Sequence, residues 1–165
     1  MQNRAVEGYN MAMPEPPSPS PVSLTSVHLF ADLCEGLLRQ GKSVRFRAPG
    51  RSMYPTIREN DVITVEPVGP SCVRVGDIVL YRLQRGVVAH RVVRMIQHDW
   101  PLPAHISFVL KGDTWRIEDE PVQEHQILGK VVAVERKGRP SSPYTKRAKM
   151  RRLIHTIGSS LKRIF

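Results

Sequence analysis

Ser52, His90 and Asp113 are residue types that together can run acyl transfer, and each has a distinctive local setting. Ser52 lies in Gly50-Arg51-Ser52-Met53-Tyr54-Pro55-Thr56-Ile57. Glycine opens backbone angles closed to other residues and proline fixes its own φ, so this stretch can hold one hydroxyl in one exposed orientation. The same residue types also make ordinary surface turns. A serine hydroxyl is a poor nucleophile by itself and needs a base, a group to orient that base, and donors for the oxyanion. His90 interrupts the apolar run Val87-Val88-Ala89-His90-Arg91-Val92-Val93, where strand alternation puts it on one face with Val88 and Val92. A lone histidine there is by default a hydrogen-bonded structural residue. Asp113, in Lys111-Gly112-Asp113-Thr114-Trp115, follows a strand-like run and is placed either to fix the histidine's tautomer or to serve as a turn aspartate.

The elements that must position these groups are mostly strands. From Val44 to Arg136 short β-branched runs alternate with Gly, Pro and Asp, predicting strands over Val44–Arg47, Val62–Glu66, Ile78–Leu83, Val87–Met95, Ile106–Lys111 and Leu128–Glu135. Gln84-Arg85-Gly86 reads as a tight hairpin turn, and residues 97–105 as a loop. Before the strands, Val27, Phe30, Ala31, Cys34, Leu37 and Leu38 recur at helical spacing, predicting an amphipathic helix over 26–40 that stops at Gly41. Residues 1–22 are rich in Pro and Ser and read as a disordered arm. Residues 23–136 form the expected catalytic domain.

Length and composition bound the rest. With 165 residues, 41% hydrophobic and 24% charged, the chain is expected to form one globular domain with tails. The net charge of +10 is unevenly placed: residues 1–135 hold 15 basic and 15 acidic residues, and the remaining 10 basic residues lie after Glu135 with no acid among them. Met150, Leu153, Ile154, Ile157, Leu161 and Ile164 recur at helical spacing in that basic tail. They predict a basic amphipathic helix, after a linker over 136–143, that lies on an anionic membrane surface, packs on the domain, or touches RNA. No Phe, Trp or Tyr lies among the charges from Lys146 to Arg163, which disfavours nucleic acid as the partner. Peripheral membrane contact through residues 143–165 is the first of these readings. Cys34 and Cys72 lack the paired spacing of a zinc or redox motif and read as packing residues. Neither a cofactor nor a metal is called for. The lack of a long apolar run and of a basic, apolar N-terminal leader predicts a cytoplasmic protein.

Taken in order, Ser-Met-x-Pro-Thr, Gly-Asp-Ile-Val, His-Arg-Val-Val, Lys-Gly-Asp and Leu-Gly-Lys-Val resemble the catalytic domain of signal peptidase I, whose fold is shared with LexA-type self-cleaving repressors. The resemblance covers residues 52–134 and implies a mainly β, complex antiparallel fold. One subtype of that family uses Ser-Lys; the archaeal, endoplasmic-reticulum and sporulation type uses Ser-His with an acidic partner, and His90 stands where the base belongs. The resemblance therefore implies that Ser52 attacks the scissile carbonyl and His90 is the general base. It further implies that Asp113 orients His90, Asp119 supports the site, and the Ser52 backbone N–H donates to the oxyanion. Met53 is expected to be buried beneath the nucleophile, and Asp77 to serve backbone hydrogen bonds. The implied activity is a serine endopeptidase cleaving a preprotein or precursor peptide. Two other readings stand beside it: a LexA-like self-cleaving regulator, and a non-catalytic binding module with a basic tail.

Overall fold

In a computed structural model of the chain, residues 21–153 are described, apart from 85, 101–103, 147 and 151, with only the backbone given for 21–25. The β-branched runs become strands β1 (Val44–Arg47), β2 (Val62–Glu66), β3 (Ile78–Leu83), β4 (Gly86–His98), β5 (His105–Lys111), β6 (Val122–Gln123), β7 (Ile127–Arg136) and β8 (Arg139–Ser141). They join one antiparallel sheet in the order β1-β2-β7-β3-β4-β5-β6, with β8 on β7. The architecture is thus the mainly β, antiparallel one that the sequence predicts.

Helix α1 (Pro21–Arg39) begins five residues before the predicted start, so Pro21 and Val22, assigned to the arm, are helical. The rest of the arm lies outside the described residues. The helix lays Cys34 and Leu38 on one face of the sheet, where they bury with Val44, Ile63, Ile78, Leu80, Leu128 and Val131. The opposite face buries Val79, Tyr81, Val92, Phe108, Leu110 and Val122. Each such side chain contributes about 1.5–3 kcal/mol on removal from water. Cys72, predicted to pack, is instead exposed at the end of a 3-10 turn, Pro70–Cys72; Cys34 does pack.

The linker predicted over 136–143 contains β8. Lys137 and Gly138 both take positive φ, 52° and 74°, which is the backbone of a type I′ hairpin turn. The predicted 97–105 loop is also shorter, since His98 pairs with His105 and their rings stack 4.6 Å apart. Tyr144 anchors the segment after β8: its hydroxyl donates to Val131 O at 2.7 Å and accepts from Ile78 N at 3.0 Å. Residues 146, 148–150, 152 and 153 are helical, and the rest of the predicted basic helix lies outside the described residues. Among the described residues no helix is long and apolar enough to cross a membrane.

Two features aim the sheet at the serine. Strand β4 pairs with β3 from Gly86 onward but meets β5 only from Arg91, so β5 ends beside His90 and releases residues 112–121 over it. The loop between β1 and β2 carries Ser52, and its base is closed by Ala48 N–H to Asp61 O (2.9 Å) and Asn60 N–H to Ala48 O (2.8 Å).

Candidate active site

Ser52 is held from below and from the side. Met53 and Ile57, 4% and 2% exposed, plug into the core beneath α1, and Ile57 N–H donates to Met53 O at 2.9 Å. Met53 is thus buried next to Ser52, as expected. From the side, Thr114 N–H donates to Ser52 O at 2.8 Å, and the single proton of the Thr114 hydroxyl is shared between Arg51 O and Tyr54 O, both at 3.0 Å. The loop base is tied further by Asp61, whose carboxylate accepts Arg58 N–H at 2.8 Å and pairs with Arg136 at 2.5 Å.

His90 is 3% exposed and sits opposite Val79 of β3. Its Nε2 lies 3.0 Å from Ser52 Oγ, and its Nδ1 lies 2.5 Å from Asp119 Oδ2. A carboxylate can only accept, so Nδ1 carries the proton and donates it to Asp119. That leaves the Nε2 lone pair to accept the Ser52 hydroxyl. Asp119 is held in turn by its own N–H, which donates to Leu110 O at 2.8 Å, and by the Tyr81 hydroxyl, which donates to the same Oδ2 at 3.0 Å. Burial, reinforced by the Asp119 charge and hydrogen bond, pushes the Tyr81 phenol well above the usual tyrosine range.

The carboxylate facing His90 is Asp119 and not Asp113, for which that place was predicted. Asp113 faces Arg91 instead, receiving Nε at 2.8 Å and Nη2 at 2.7 Å in a two-pronged bond, and it accepts the Thr56 hydroxyl at 2.5 Å. His90 and Arg91 are neighbours on a strand and point to opposite faces, so a carboxylate engaged by one is turned away from the other. Arg91 also donates to Gly76 O at 2.7 Å, tying this network to the start of β3. Asp77 accepts Arg74 N–H at 3.0 Å and pairs with Lys130 at 2.8 Å, a turn-building role.

Gly112 was missed as a site residue. A Cβ there would lie 2.8 Å from Ser52 O, 3.1 Å from Ser52 Cβ and 3.3 Å from His90 Nε2, so only glycine lets the β5 exit pass this close to the serine and histidine. Trp115 was also missed; it is half exposed, and its ring meets that of His90 edge-on with centroids 5.7 Å apart.

Beside Ser52 lies a cavity of about 220 Å³ lined by Phe46, Met53, Ile57, Leu80, Val87 and Ala89, among others. Its wall is apolar. A larger cavity of about 680 Å³, near Leu38, Pro67, Pro70 and His125, shares none of the residues of the serine–histidine array. Among the described residues no cluster of His, Cys, Asp and Glu is arranged to hold a metal.

A hydroxyl, an imidazole and a carboxylate joined in line, on an antiparallel β scaffold, is the arrangement that serine peptidases use. The sequence comparison agrees at the level of family: a Peptidase S24-like profile matches residues 26–132. That span is well over half of the chain, and the chain belongs to the Peptidase S24-like family. It is therefore of serine-peptidase type, within the superfamily that LexA-type and signal-peptidase-type proteins share. A search of curated proteins finds no match.

Proposed function

We propose that this chain is a serine endopeptidase of the histidine-dependent type, acting on a precursor polypeptide, with Ser52 as nucleophile and His90 as general base. The observation that carries the reading is the pair of contacts at His90, 3.0 Å to Ser52 Oγ and 2.5 Å to Asp119 Oδ2. In the forward step Oγ forms a bond to the scissile carbonyl carbon while its proton passes to Nε2. The imidazolium then gives that proton to the leaving amine as the C–N bond breaks, and water repeats the sequence on the acyl-enzyme. Asp119, rather than Asp113, holds the Nδ1–H and stabilises the imidazolium. The Ser52 amide is the oxyanion donor in this reading.

Substrate enters along the free edge of β4. Among the described residues Val87–Ala89 pair with β3 on one side only, and Phe46 of β1 and Val87 both line the cavity. An extended peptide there can hydrogen-bond the exposed edge while one apolar side chain fills the cavity beside Ser52. Digestion of a peptide library by the full chain tests this. Cleavage after residues with small to medium apolar side chains, absent from the Ser52→Ala protein, is the expected result; equal cleavage by both proteins contradicts it.

The family match also favours a second reading, self-cleavage of the LexA kind. It predicts that the intact mass of the purified chain falls on incubation at alkaline pH and that the Ser52→Ala protein stays whole.

A further inference from the structure

We propose that Tyr81 is a positioning residue of this array, acting through Asp119 to keep His90 in the tautomer and orientation that serve Ser52; the inference rests on the peptidase reading above. Asp119 needs such a clamp. It lies on the loop leaving β5, among the exposed residues Trp115, Arg116, Ile117, Glu118 and Glu120, with one backbone bond, to Leu110, fixing its main chain. A loop carboxylate so placed can rotate about its side-chain bonds unless something rigid holds an oxygen.

Tyr81 is that rigid group. It stands on β3 near the middle of the sheet, 2% exposed and packed with Val79, Val92, Phe108 and Leu110. Register pairs it with Val88, which puts it on the face of the sheet that carries His90, one diagonal step away, with ring centroids 6.1 Å apart. Its hydroxyl donates to Asp119 Oδ2 at 3.0 Å, the same oxygen that accepts His90 Nδ1–H. Two donors fixed to neighbouring strands thus converge on one oxygen and set its direction. The hydroxyl also lies 3.4 Å from Nδ1, yet it cannot donate there while Nδ1 bears the proton that Asp119 receives. A phenol kept neutral by its burial remains a donor throughout the range in which a histidine changes charge.

Removing the hydroxyl leaves Oδ2 with one donor and frees the carboxylate to turn from Nδ1. The imidazole then loses its preference for the Nδ1–H form, and fewer molecules present a bare Nε2 to Ser52. Tyr81 touches neither the serine nor the path of a substrate, so its effect must vanish when Asp119 can no longer act.

The test is nitrogen-15 NMR of the histidines in the full chain, together with the rate at which a fluorophosphonate probe phosphonylates Ser52, the Oγ–P bond forming as fluoride leaves. In wild-type protein at mildly alkaline pH, His90 is expected wholly in the Nδ1–H form. In Tyr81→Phe it is a mixture of both tautomers, and labelling slows about ten- to a hundredfold. In an Asp119→Asn background Tyr81→Phe slows labelling no further. A single tautomer retained in Tyr81→Phe overturns the inference, as does an equal slowing in both backgrounds, which marks a merely structural residue. A wild-type protein that shows the fixed tautomer but is never labelled contradicts the peptidase reading instead, and the tautomer then decides on Tyr81 alone. Should Tyr81→Phe fail to fold, replacing the tyrosines by 3-fluorotyrosine keeps ring and hydroxyl and strengthens the donor. A shift of the His90 N–H resonance is then expected, and none counts against the role.

Discussion

Asp119 meets His90 Nδ1 at 2.5 Å from the side opposite Ser52, so one carboxylate fixes both the tautomer and the direction of the ring. Asp113, six residues earlier, does separate work: its side chain is 3% exposed and locked to Arg91, itself 9% exposed. The two aspartates should therefore separate cleanly on substitution. Asp119→Asn is expected to lower kcat roughly 10²- to 10⁴-fold with little change in stability, because His90, the proposed general base, is mis-set while the fold is untouched. Asp113→Asn leaves the buried Arg91 charge uncompensated and is expected to cost about 3 kcal/mol of stability. Kinetics and urea unfolding on both variants check this.

Gly112 permits the closest approach of two loops at the site. Gly112→Ala would press a methyl against Ser52 O at 2.8 Å and toward His90 Nε2 at 3.3 Å. We expect at least about a tenfold loss of Ser52 acylation from even a small displacement of the serine from the histidine. Gly129→Ala is the control: its methyl would meet Glu66 O at 2.5 Å, away from Ser52 and His90, and should lower stability far more than the rate per folded molecule. Rates normalised to folded protein separate the two.

The cavity beside Ser52 is mainly apolar, and Ala89 forms part of its lining. Ala89→Leu fills part of its volume of about 220 Å³. The expected outcome is a selective loss: peptides carrying a bulky apolar residue before the cleaved bond lose about 1–3 kcal/mol of transition-state binding, and those with alanine lose less. Ratios of kcat/KM for two matched peptides measure it.

Tyr144 supplies an alkaline signature. Burial, aided by the Asp77 charge and opposed by the Ile78 N–H bond and the Arg91 charge, pushes its phenol up to about 12. An unfolded tyrosine ionises near about 10. The unfolded chain therefore releases this proton first, so the contribution is whole below about pH 10 and is lost as pH rises through about 12. Urea unfolding between about pH 9 and about pH 12 should show stability falling with pH, with a shallower fall in Tyr144→Phe.

Much of this was legible in the chain, for physical reasons that can be named. Val44–Arg47, Val62–Glu66 and Ile78–Leu83 fall where alternation and turn residues put them, because each is short, β-branched and bounded by strong breakers. The pairing of Ser52 with His90 was implied by the resemblance that the ordered motifs carry, together with a serine's need for a base. Choosing between Asp113 and Asp119 required knowing that Arg91 would capture the nearer carboxylate, and alternation on β4 carried part of that answer. Tyr81 was within reach as well, since the turn after Leu83 sets a register that places it diagonal to His90. Gly112 and Trp115 had no such signal, because the approach of the β5 exit to the serine loop is a contact between segments some 60 residues apart. Strands β6 and β8 were illegible for their shortness and for Pro140, and both exist through pairing to longer neighbours.

In the proposed mechanism His90, 3.0 Å from Ser52 Oγ, activates the serine. Intact-mass analysis of the full chain after treatment with a fluorophosphonate, followed by peptide mapping, tests it most directly. One adduct on Ser52 in the wild type, absent in Ser52→Ala and at least about a hundredfold slower in His90→Ala, is the predicted result. An adduct on another residue, or labelling of Ser52 that is indifferent to the loss of His90, would contradict it.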